Sequence, residues 1–178
     1  MSTRTVYTIG HSTRTADEFV ALLKKHEVTR LADVRTVPRS RHNPQFNGDA
    51  LAETLAAHRI GYVAFPGLGG FRRAAPGSPN AGWRNASFRG YADYMQTDGF
   101  VSNLDALIAL ARKNVVAVMC AEAVPWRCHR SLIADALVVR HFRVEEIVSE
   151  TKTSVHELTP FAVVDGTTIR YPPLDTRA

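Results

Sequence analysis

Short apolar segments alternate with longer amphipathic segments along most of the chain. The short segments carry β-branched or aromatic residues, as strands do, whereas in the longer ones the apolar positions recur every three or four residues, as on one face of a helix. The run VVAVM has no polar position, which is typical of a central parallel strand covered by helices on both faces. The pattern predicts five strands, over residues 6–9, 30–35, 62–65, 115–119 and 144–148.

Polar residues precede the amphipathic segments at positions where they can cap helices. Thr15 and Glu18 have the spacing of a capping box, in which each side chain accepts a hydrogen bond from the backbone amide of the other residue. Helices are predicted to begin at or near Thr15, Asp49, Ser102 and His129, with a shorter one over residues 91–95. Gly61 is expected to end the helix that Asp49 caps.

Two further segments complete the predicted fold. Residues 66–85 are rich in Gly, Pro, Arg and Ser and predict a long loop, and Asp165 with Gly166 predicts the turn of a tight hairpin. A chain of 178 residues suits one domain. The alternation of strands and helices therefore predicts a single α/β domain with a mostly parallel central sheet, helices on both faces and a C-terminal β-hairpin.

Polar side chains follow three of the predicted strands at the point where each strand ends. They are His11 and Ser12 after the first strand, Asp33 and Arg35 at the second, and Cys120 and Glu122 after the fourth. Ligands of parallel α/β sheets bind at the carboxyl ends of the strands. We therefore expect these residues to form one site.

The segment CAEAVPWRCHR, which begins at Cys120, contains both cysteines of the chain. Cys128 is expected at a helix N-terminus among cations, a setting that lowers the pKa of a thiol, so it is the stronger candidate for a reactive cysteine. The alternative is that both cysteines are small core residues. A metal site for zinc or iron, with Cys120, Cys128 and His129 as ligands and His11 or Glu122 as a fourth, is a further interpretation, although the spacing matches no familiar zinc knuckle.

Acid–base and anion-binding candidates surround these thiols. Asp33 and Glu122 are available for proton transfer unless they form buried ion pairs with Arg35 or Arg130. The full catalytic set is Glu122, Cys128, His129, Asp33 and His11. The predicted anion-binding set is Ser12, Arg35, Arg39, Ser40, Arg41, Arg127 and Arg130.

Positive charge is concentrated in one third of the chain. Residues 35–89 contain eight arginines, no lysine and two acidic residues, a net charge of +6 against +5 for the whole protein. Phe71 and Trp83 lie among these arginines, and aromatic rings between guanidinium groups can stack bases. A nucleotide or nucleic acid is therefore the predicted partner.

Spacing and composition argue against several other classes. Cysteine-dependent phosphatases need an arginine six residues after the nucleophile, but Trp126 stands there after Cys120 and Ala134 after Cys128. A rhodanese-type sulfur transferase meets the same objection, and no G-x-G-x-x-G turn follows a strand. We expect a cytoplasmic protein without a membrane partner, because the sequence has neither a signal-peptide pattern nor a run long enough to span a bilayer.

The chain resembles the uncharacterised family called domain of unknown function 488, with its C-x-E-x-x-P-x-x-C-H-R signature. The matching segments are YTIGHS, LADVRTVPRSRHNPQF, GLGG, MCAEAVPWRCHR and VDGTTIRYP. The resemblance implies a compact α/β fold and no established reaction. It carries over, as signature residues, His11, Ser12, Asp33, Arg35, Pro38, Ser40, Arg41, Pro44, Cys120, Glu122, Cys128, His129 and Arg130. One departure is the segment Arg140-His141-Phe142, where relatives tend to have a glycine before the fifth strand.

These observations together predict an enzyme that acts on a phosphate-bearing substrate, a nucleotide or nucleic acid, by hydrolysis or by chemistry on the base. Arginines would hold the anion, Glu122 or Asp33 would act as acid or base, and Cys128 or His129 would act as nucleophile or proton carrier. The alternatives are a non-catalytic module that binds nucleic acid and a sensor based on a metal or on thiols.

Overall fold

The computed structural model describes residues 3–174, and six of the eight strands in this range form one sheet. The strands are β1 (Thr5–Gly10), β2 (Arg30–Asp33), β3 (Gly61–Ala64), β4 (Val116–Cys120), β5 (Arg143–Ile147), β6 (Thr153–Val155), β7 (Val163–Asp165) and β8 (Thr168–Arg170). The order in the sheet is β3, β2, β4, β1, β5, β6, and every neighbouring pair is parallel except β5 with β6. β7 and β8 form a separate antiparallel hairpin.

Five α-helices accompany the sheet within the described residues. They are α1 (Ala16–Lys25), α2 (Gly48–Ala56), α3 (Ala86–Tyr94), α4 (Asp98–Lys113) and α5 (Arg130–Val138). Three short 3-10 turns, each beginning at a proline, lie at Pro44–Phe46, Pro66–Leu68 and Pro125–Arg127. None of the helices between residues 3 and 174 combines the length and the apolar character needed to cross a membrane.

The side chains of β4 divide the core into two layers. Val116 and Val118 pack with α3, α4 and α5 on one face, and Ala117 and Met119 pack with α1 and α2 on the other. All four side chains are completely buried, as expected of a central parallel strand without a polar position. The predicted α/β domain, with a mostly parallel sheet, helices on both faces and a C-terminal hairpin, is confirmed.

The starts of α1 and α2 show one correct and one wrong cap prediction. The capping box is present, because the amide of Glu18 donates to Thr15 Oγ1 at 3.1 Å and the amide of Thr15 donates to Glu18 Oε1 at 3.3 Å. Asp49 does not cap α2. The 3-10 turn before this helix leads directly into it, so Asn47 occupies the N-cap position and Asp49 lies in the first turn.

Two other boundary predictions were also wrong. Thr97 caps α4 by accepting a hydrogen bond from the amide of Phe100 at 3.3 Å, and Ser102 lies a turn further into the helix. The buried Phe100 extends the apolar face of α4 towards its N-terminus, which the prediction overlooked. Gly61 is the first residue of β3, because α2 already ends at Ala56 and a tight turn follows.

The remaining connections agree with the sequence in outline. The segment 66–85 is irregular apart from one 3-10 turn, and Gly166 takes a φ of 63° in the hairpin turn between β7 and β8. β6 was not predicted, since it is a three-residue edge strand. Within residues 140–142, where the family resemblance implies a glycine, His141 adopts a φ of 71°, a left-handed conformation that favours glycine.

Candidate functional site

The neighbouring strands β2, β4 and β1 end at one edge of the sheet, where a cleft of about 350 Å³ opens to solvent. Its inner wall includes Cys120, Cys128 and His129. Of the six residues predicted at these strand ends, three line the cleft within residues 3–174, namely Arg35, Cys120 and Glu122. Arginine and aromatic side chains complete the lining, among them Arg35, Arg39, Arg127, Phe71, Phe88 and Tyr91.

The loop after β4 folds closely over the end of β1. The amide of His11 donates to the carbonyl of Cys120 at 2.9 Å, and the amide of Ser12 donates to that of Ala121 at 3.0 Å. A Cβ atom on Gly10 would lie 1.7 Å from the carbonyl oxygen of Glu122, so only glycine allows this approach. Gly10 thereby determines where the loop that follows Cys120 can lie.

The two cysteines and Arg130 form a buried cluster. The Sγ atom of Cys128 donates to the Sγ atom of Cys120 at 2.6 Å, and Arg130 Nη1 donates to Cys120 Sγ at 2.7 Å. The same Nη1 donates to the carbonyl oxygen of Glu122 at 2.9 Å, and Nη2 donates to Glu146 Oε1 at 2.7 Å. The guanidinium therefore lies between a sulfur atom and a carboxylate.

The pKa values of the two thiols shift in opposite directions. Burial alone would raise the pKa of Cys120, but the hydrogen bond from Cys128 and the charge of Arg130 outweigh it and lower that pKa. The pKa of Cys128 is raised, because its proton is held in the hydrogen bond to Cys120 and because the thiol is buried. The prediction of a lowered pKa at Cys128 was wrong, and Cys120 is the sulfur that the site favours as a thiolate.

His129 lies beside the thiols as a neutral imidazole. Its Nε2 is 2.9 Å from the carbonyl oxygen of Val34, so Nε2 carries the hydrogen and Nδ1 is an acceptor, 3.4 Å from Cys128 Sγ. Burial, with a smaller contribution from the charge of Arg130, lowers the pKa of His129 to about 4. This imidazole can accept a proton at Nδ1, on the side that faces Cys128.

Asp33 and Arg35 form the buried ion pair that the sequence had left open as an alternative. Arg35 donates through Nε and Nη2 to the two carboxylate oxygens of Asp33, at 2.9 and 2.7 Å, and Nη2 also reaches the carbonyl oxygen of Phe46. The hydroxyl of Tyr62 donates to Asp33 at 2.5 Å. Because these donors occupy both carboxylate oxygens, the geometry does not support acid–base catalysis by Asp33.

His11 supports the same ion pair from the end of β1. Its ring stacks on Phe46 with centroids 4.4 Å apart, and its Nδ1 donates to the carbonyl oxygen of Ser12 at 2.8 Å. Nε2 is then the acceptor that faces Arg35 Nη1 at 3.5 Å. Burial is the main cause that lowers the pKa of His11, so a neutral ring fixes the position of Arg35. His11 is a positioning residue in this arrangement rather than a catalytic one.

The predicted anion-binding role of Arg130 is not supported. Its side chain has no exposed surface, and its Nη atoms are engaged by Cys120, Glu122 and Glu146. Glu146 is in turn bound by the hydroxyl of Thr8. The pairing of Arg130 with Glu146 was not predicted, because the sequence does not show that β5 and α5 meet at this point.

The predicted metal site is not supported either. The part of the chain that the structure describes has no group of three or more His, Cys, Asp or Glu side chains arranged to hold a metal ion. The proposed ligands Cys120, Cys128 and His129 are close together, but the guanidinium of Arg130 lies 2.7 Å from the first of them. A fixed positive charge therefore stands where a cation would have to bind.

The remaining predicted residues fall into two groups. Arg39, Arg127 and Glu122 have exposed side chains on the cleft. Within residues 3–174, Ser12, Ser40 and Arg41 lie outside its lining. Ser40 stabilises a local turn instead, since its hydroxyl accepts a hydrogen bond from the amide of residue 43 at 3.0 Å.

The aromatic candidates also separate. Phe71 is 91% exposed at the cleft and has a φ of 60°, so its ring projects into solvent beside the arginines. Trp83 packs against Phe88, Phe161 and Tyr171 with centroid distances of 5.1, 4.9 and 5.5 Å, which makes it a core residue rather than a ligand contact. Its predicted role as a ligand contact is not supported.

The fold and the site together define a class of protein. It is a parallel α/β domain with a thiol–arginine pair at the carboxyl edge of its sheet. The family model of Domain of unknown function DUF488 matches residues 15–137, so the chain belongs to this family. The matched range contains Cys120, Cys128 and Arg130, whereas Glu146 lies beyond it. Neither the comparison with curated proteins nor the comparison with solved structures found a match.

Proposed function

We propose that this protein is an enzyme that acts on a phosphate-bearing substrate of nucleotide size, with Cys120 as its nucleophile. The observation that carries the proposal is the position of Cys120 Sγ, 2.7 Å from the guanidinium of Arg130 and on the wall of an open cleft. A thiol beside a fixed cation is favoured as a thiolate, which is the reactive form. The two buried free cysteines also suit a cytoplasmic enzyme, and that location is part of the proposal.

The phosphate would bind at the rim of the cleft. Arg39 and Arg127 are exposed there, whereas Arg35 is neutralised by Asp33. Guanidinium groups bind phosphate oxygens through two parallel hydrogen bonds and therefore suit this anion. The acidic side chain on the lining is Glu122, so positive charge dominates the opening.

The organic part of the substrate would contact the apolar side of the same opening. Val37 and Phe71 are 60% and 91% exposed on the lining of the cleft, so they present apolar surface to a ligand. A flat aromatic ring stacks favourably on Phe71 while a phosphate a few ångströms away reaches an arginine. A nucleotide combines these two features.

The reaction we propose is substitution at an electrophilic carbon of the substrate. The Cys120 thiolate forms an S–C bond, and the leaving group departs with the electron pair of the broken bond and takes the proton of Cys128. Water then attacks the same carbon, transfers a proton to the Cys128 thiolate and restores the Cys120 thiolate as the S–C bond breaks. Cys128 can release its proton in the first step because the negative charge of Cys120, which holds that proton, is lost when the S–C bond forms.

Binding assays test the phosphate part of the proposal. Isothermal titration calorimetry with nucleoside mono-, di- and triphosphates should show binding that the matched unphosphorylated nucleosides lack. Arg39→Ala and Arg127→Ala should weaken it. The control is Arg112→Ala, an exposed arginine at the end of α4, on the opposite edge of the sheet. Equal affinity for nucleotides and nucleosides, or equal loss in the control, would overturn the proposal.

Turnover separates the enzyme from a non-catalytic module. Product formation from a bound nucleotide, followed by chromatography, should disappear in Cys120→Ser while binding is retained. A single-stranded oligonucleotide is the comparison ligand, since a purely electrostatic binder loses affinity steeply as salt rises. Oligonucleotide binding that is steep in salt, unchanged in Cys120→Ser and accompanied by no turnover would identify a binding module and refute the enzyme.

A further inference from the structure

The sulfur atoms of Cys120 and Cys128 are in direct contact on the wall of the cleft. Their distance of 2.6 Å is less than 1 Å above the length of a disulfide bond, about 2.05 Å. Cys120 ends β4 and Cys128 precedes α5, and the 3-10 turn Pro125–Arg127 between them brings the chain back to this position. The two cysteines are the complete set of thiols in the chain.

We propose that Cys120 and Cys128 are a site of reversible oxidation by hydroperoxides, in which Cys120 is oxidised first and Cys128 then closes an intramolecular disulfide. In the first step the Cys120 thiolate attacks the terminal peroxide oxygen. An S–O bond forms, the O–O bond breaks, and the alkoxide or hydroxide that leaves takes a proton from solvent. Cys120 becomes a sulfenic acid, and the peroxide is reduced to an alcohol or water.

The second step takes place between neighbouring side chains. The sulfur of Cys128 attacks the sulfur of Cys120, the S–S bond forms, and the S–O bond breaks. The hydroxide that leaves combines with the proton of Cys128 to give water. Two electrons pass to the peroxide in total, one from each sulfur, and a dithiol reductant reverses the oxidation by thiol–disulfide exchange.

The surroundings of the two sulfurs give the order of these steps. Arg130 Nη1 donates directly to Cys120 Sγ, whereas the Cys128 thiol donates its own proton to Cys120. Cys120 is therefore the sulfur with an available electron pair and Cys128 the one that still carries hydrogen. The direction of the two pKa shifts agrees with this division.

A small peroxide can reach this pair through the cleft. Both cysteines are nearly buried, at 2% and 6% exposure, yet both line a cavity of about 350 Å³ that is open to solvent. A molecule of water occupies about 30 Å³ in the liquid, and hydrogen peroxide is only slightly larger. Bulky alkylating reagents should react more slowly at the same position, which makes the site selective by size.

Mass spectrometry of the intact protein tests the proposal without any substrate. After treatment with hydrogen peroxide, the mass of the wild-type chain should fall by that of two hydrogen atoms. Neither thiol should then be alkylated under denaturing conditions, and dithiothreitol should make both thiols alkylatable again. When dimedone is added to the same treatment, the Cys128→Ser variant should form a dimedone adduct with the sulfenic acid at Cys120. The Cys120→Ser variant should form none. Circular dichroism spectra of both variants serve as the folding control.

Two results would overturn the inference. One is a wild-type protein whose two thiols both remain alkylatable after peroxide treatment, a measurement that needs no variant to fold. The other is a dimedone adduct in Cys120→Ser as abundant as that in Cys128→Ser, because Cys120 would then not be the sulfur attacked first. Neither result bears on nucleotide binding, which calorimetry measures, so this inference and the phosphate-binding part of the proposed function can fail separately.

Discussion

Substitution of Arg130 by methionine tests whether the buried charges of the site are balanced as the contacts indicate. Methionine retains most of the apolar bulk of the arginine but removes its charge and its donors. Arg130 has no exposed surface, and its partner Glu146 is 8% exposed as a residue. The substitution therefore leaves the carboxylate of Glu146 almost buried, with the Thr8 hydroxyl still bound to it.

Removal of one partner of a buried ion pair costs about 3–5 kcal/mol, because the remaining charge has no counterion. A domain of this kind has a free energy of unfolding of roughly 5–15 kcal/mol, so the substitution should remove a large share of its stability. The double variant Arg130→Met/Glu146→Gln removes both charges. It should recover about 0.5–3 kcal/mol relative to Arg130→Met, the usual range for residues in contact.

Urea unfolding measures both variants, provided that the slope with denaturant stays constant. The deficit of Arg130→Met should also depend on pH. Burial raises the pKa of Glu146, so protonation of its carboxyl group stabilises the folded state at low pH. This contribution to stability is lost as pH rises. Without Arg130 the pKa rises further. The deficit should therefore shrink as pH falls, because the unpaired carboxyl group becomes protonated at a higher pH than it does beside Arg130.

Two outcomes would refute the reasoning. If Arg130→Met costs less than about 1 kcal/mol, the guanidinium is not the counterion that stabilises the buried carboxylate. If the double variant is no more stable than Arg130→Met, the two side chains are not coupled. Arg112→Met, at an exposed position of α4, controls for the general effect of removing an arginine.

Three further predictions concern the rest of the site. In the wild-type protein, peptide-resolved alkylation should give Cys120 an apparent pKa below the ordinary value of a thiol and Cys128 one above it, and equal profiles would contradict the assignment. Because the pKa of His129 is about 4, the NMR signals of its ring should not titrate near neutral pH. The contribution of the neutral ring to the stability of the fold should be lost as pH falls from about 6.5 towards 4. A titration midpoint near the ordinary pKa of histidine would disprove this. Gly10→Ala, whose Cβ would lie 1.7 Å from a carbonyl oxygen, should destabilise the protein by about 3 kcal/mol. Thermal unfolding measures this loss. In the same assay the control Gly99→Ala, whose Cβ would lie 3.8 Å from Thr97 Oγ1, should be neutral or slightly stabilising.

The sequence predicted the elements that have a strong periodic signal. VVAVM in β4 has no polar position, and the Thr15–Glu18 capping box depends only on neighbours three residues apart. The caps at Asp49 and Ser102 were placed wrongly, because several polar residues precede each apolar face, and the 3-10 turn that ends at Phe46 and the burial of Phe100 decide between them. Local patterns do not contain this information.

The sequence identified the site residues better than it identified their roles. Cys128 was the favoured thiol because of its place before a helix, but the thiolate is favoured at Cys120, where Arg130 reaches across from α5. That contact depends on the turn Pro125–Arg127, which folds the segment back on itself. The partner of Arg130 on β5 is 16 residues further along the chain, and no short motif connects the two.

The order of the strands explains why the chemistry is concentrated at this place. The chain leaves β2 for α2 on one face of the sheet and leaves β4, the neighbouring strand, for α5 on the other. Connections that diverge in this way open a crevice at the carboxyl ends of the two strands, where ligands of doubly wound sheets bind. Cys120 ends β4 and Cys128 lies on the β4–α5 connection, so a ligand in the crevice would contact both directly. The end of β2 also lines the cleft through Arg35, but Arg35 and Asp33 are bound to each other in an ion pair, which is why we assign the nucleophile to the end of β4.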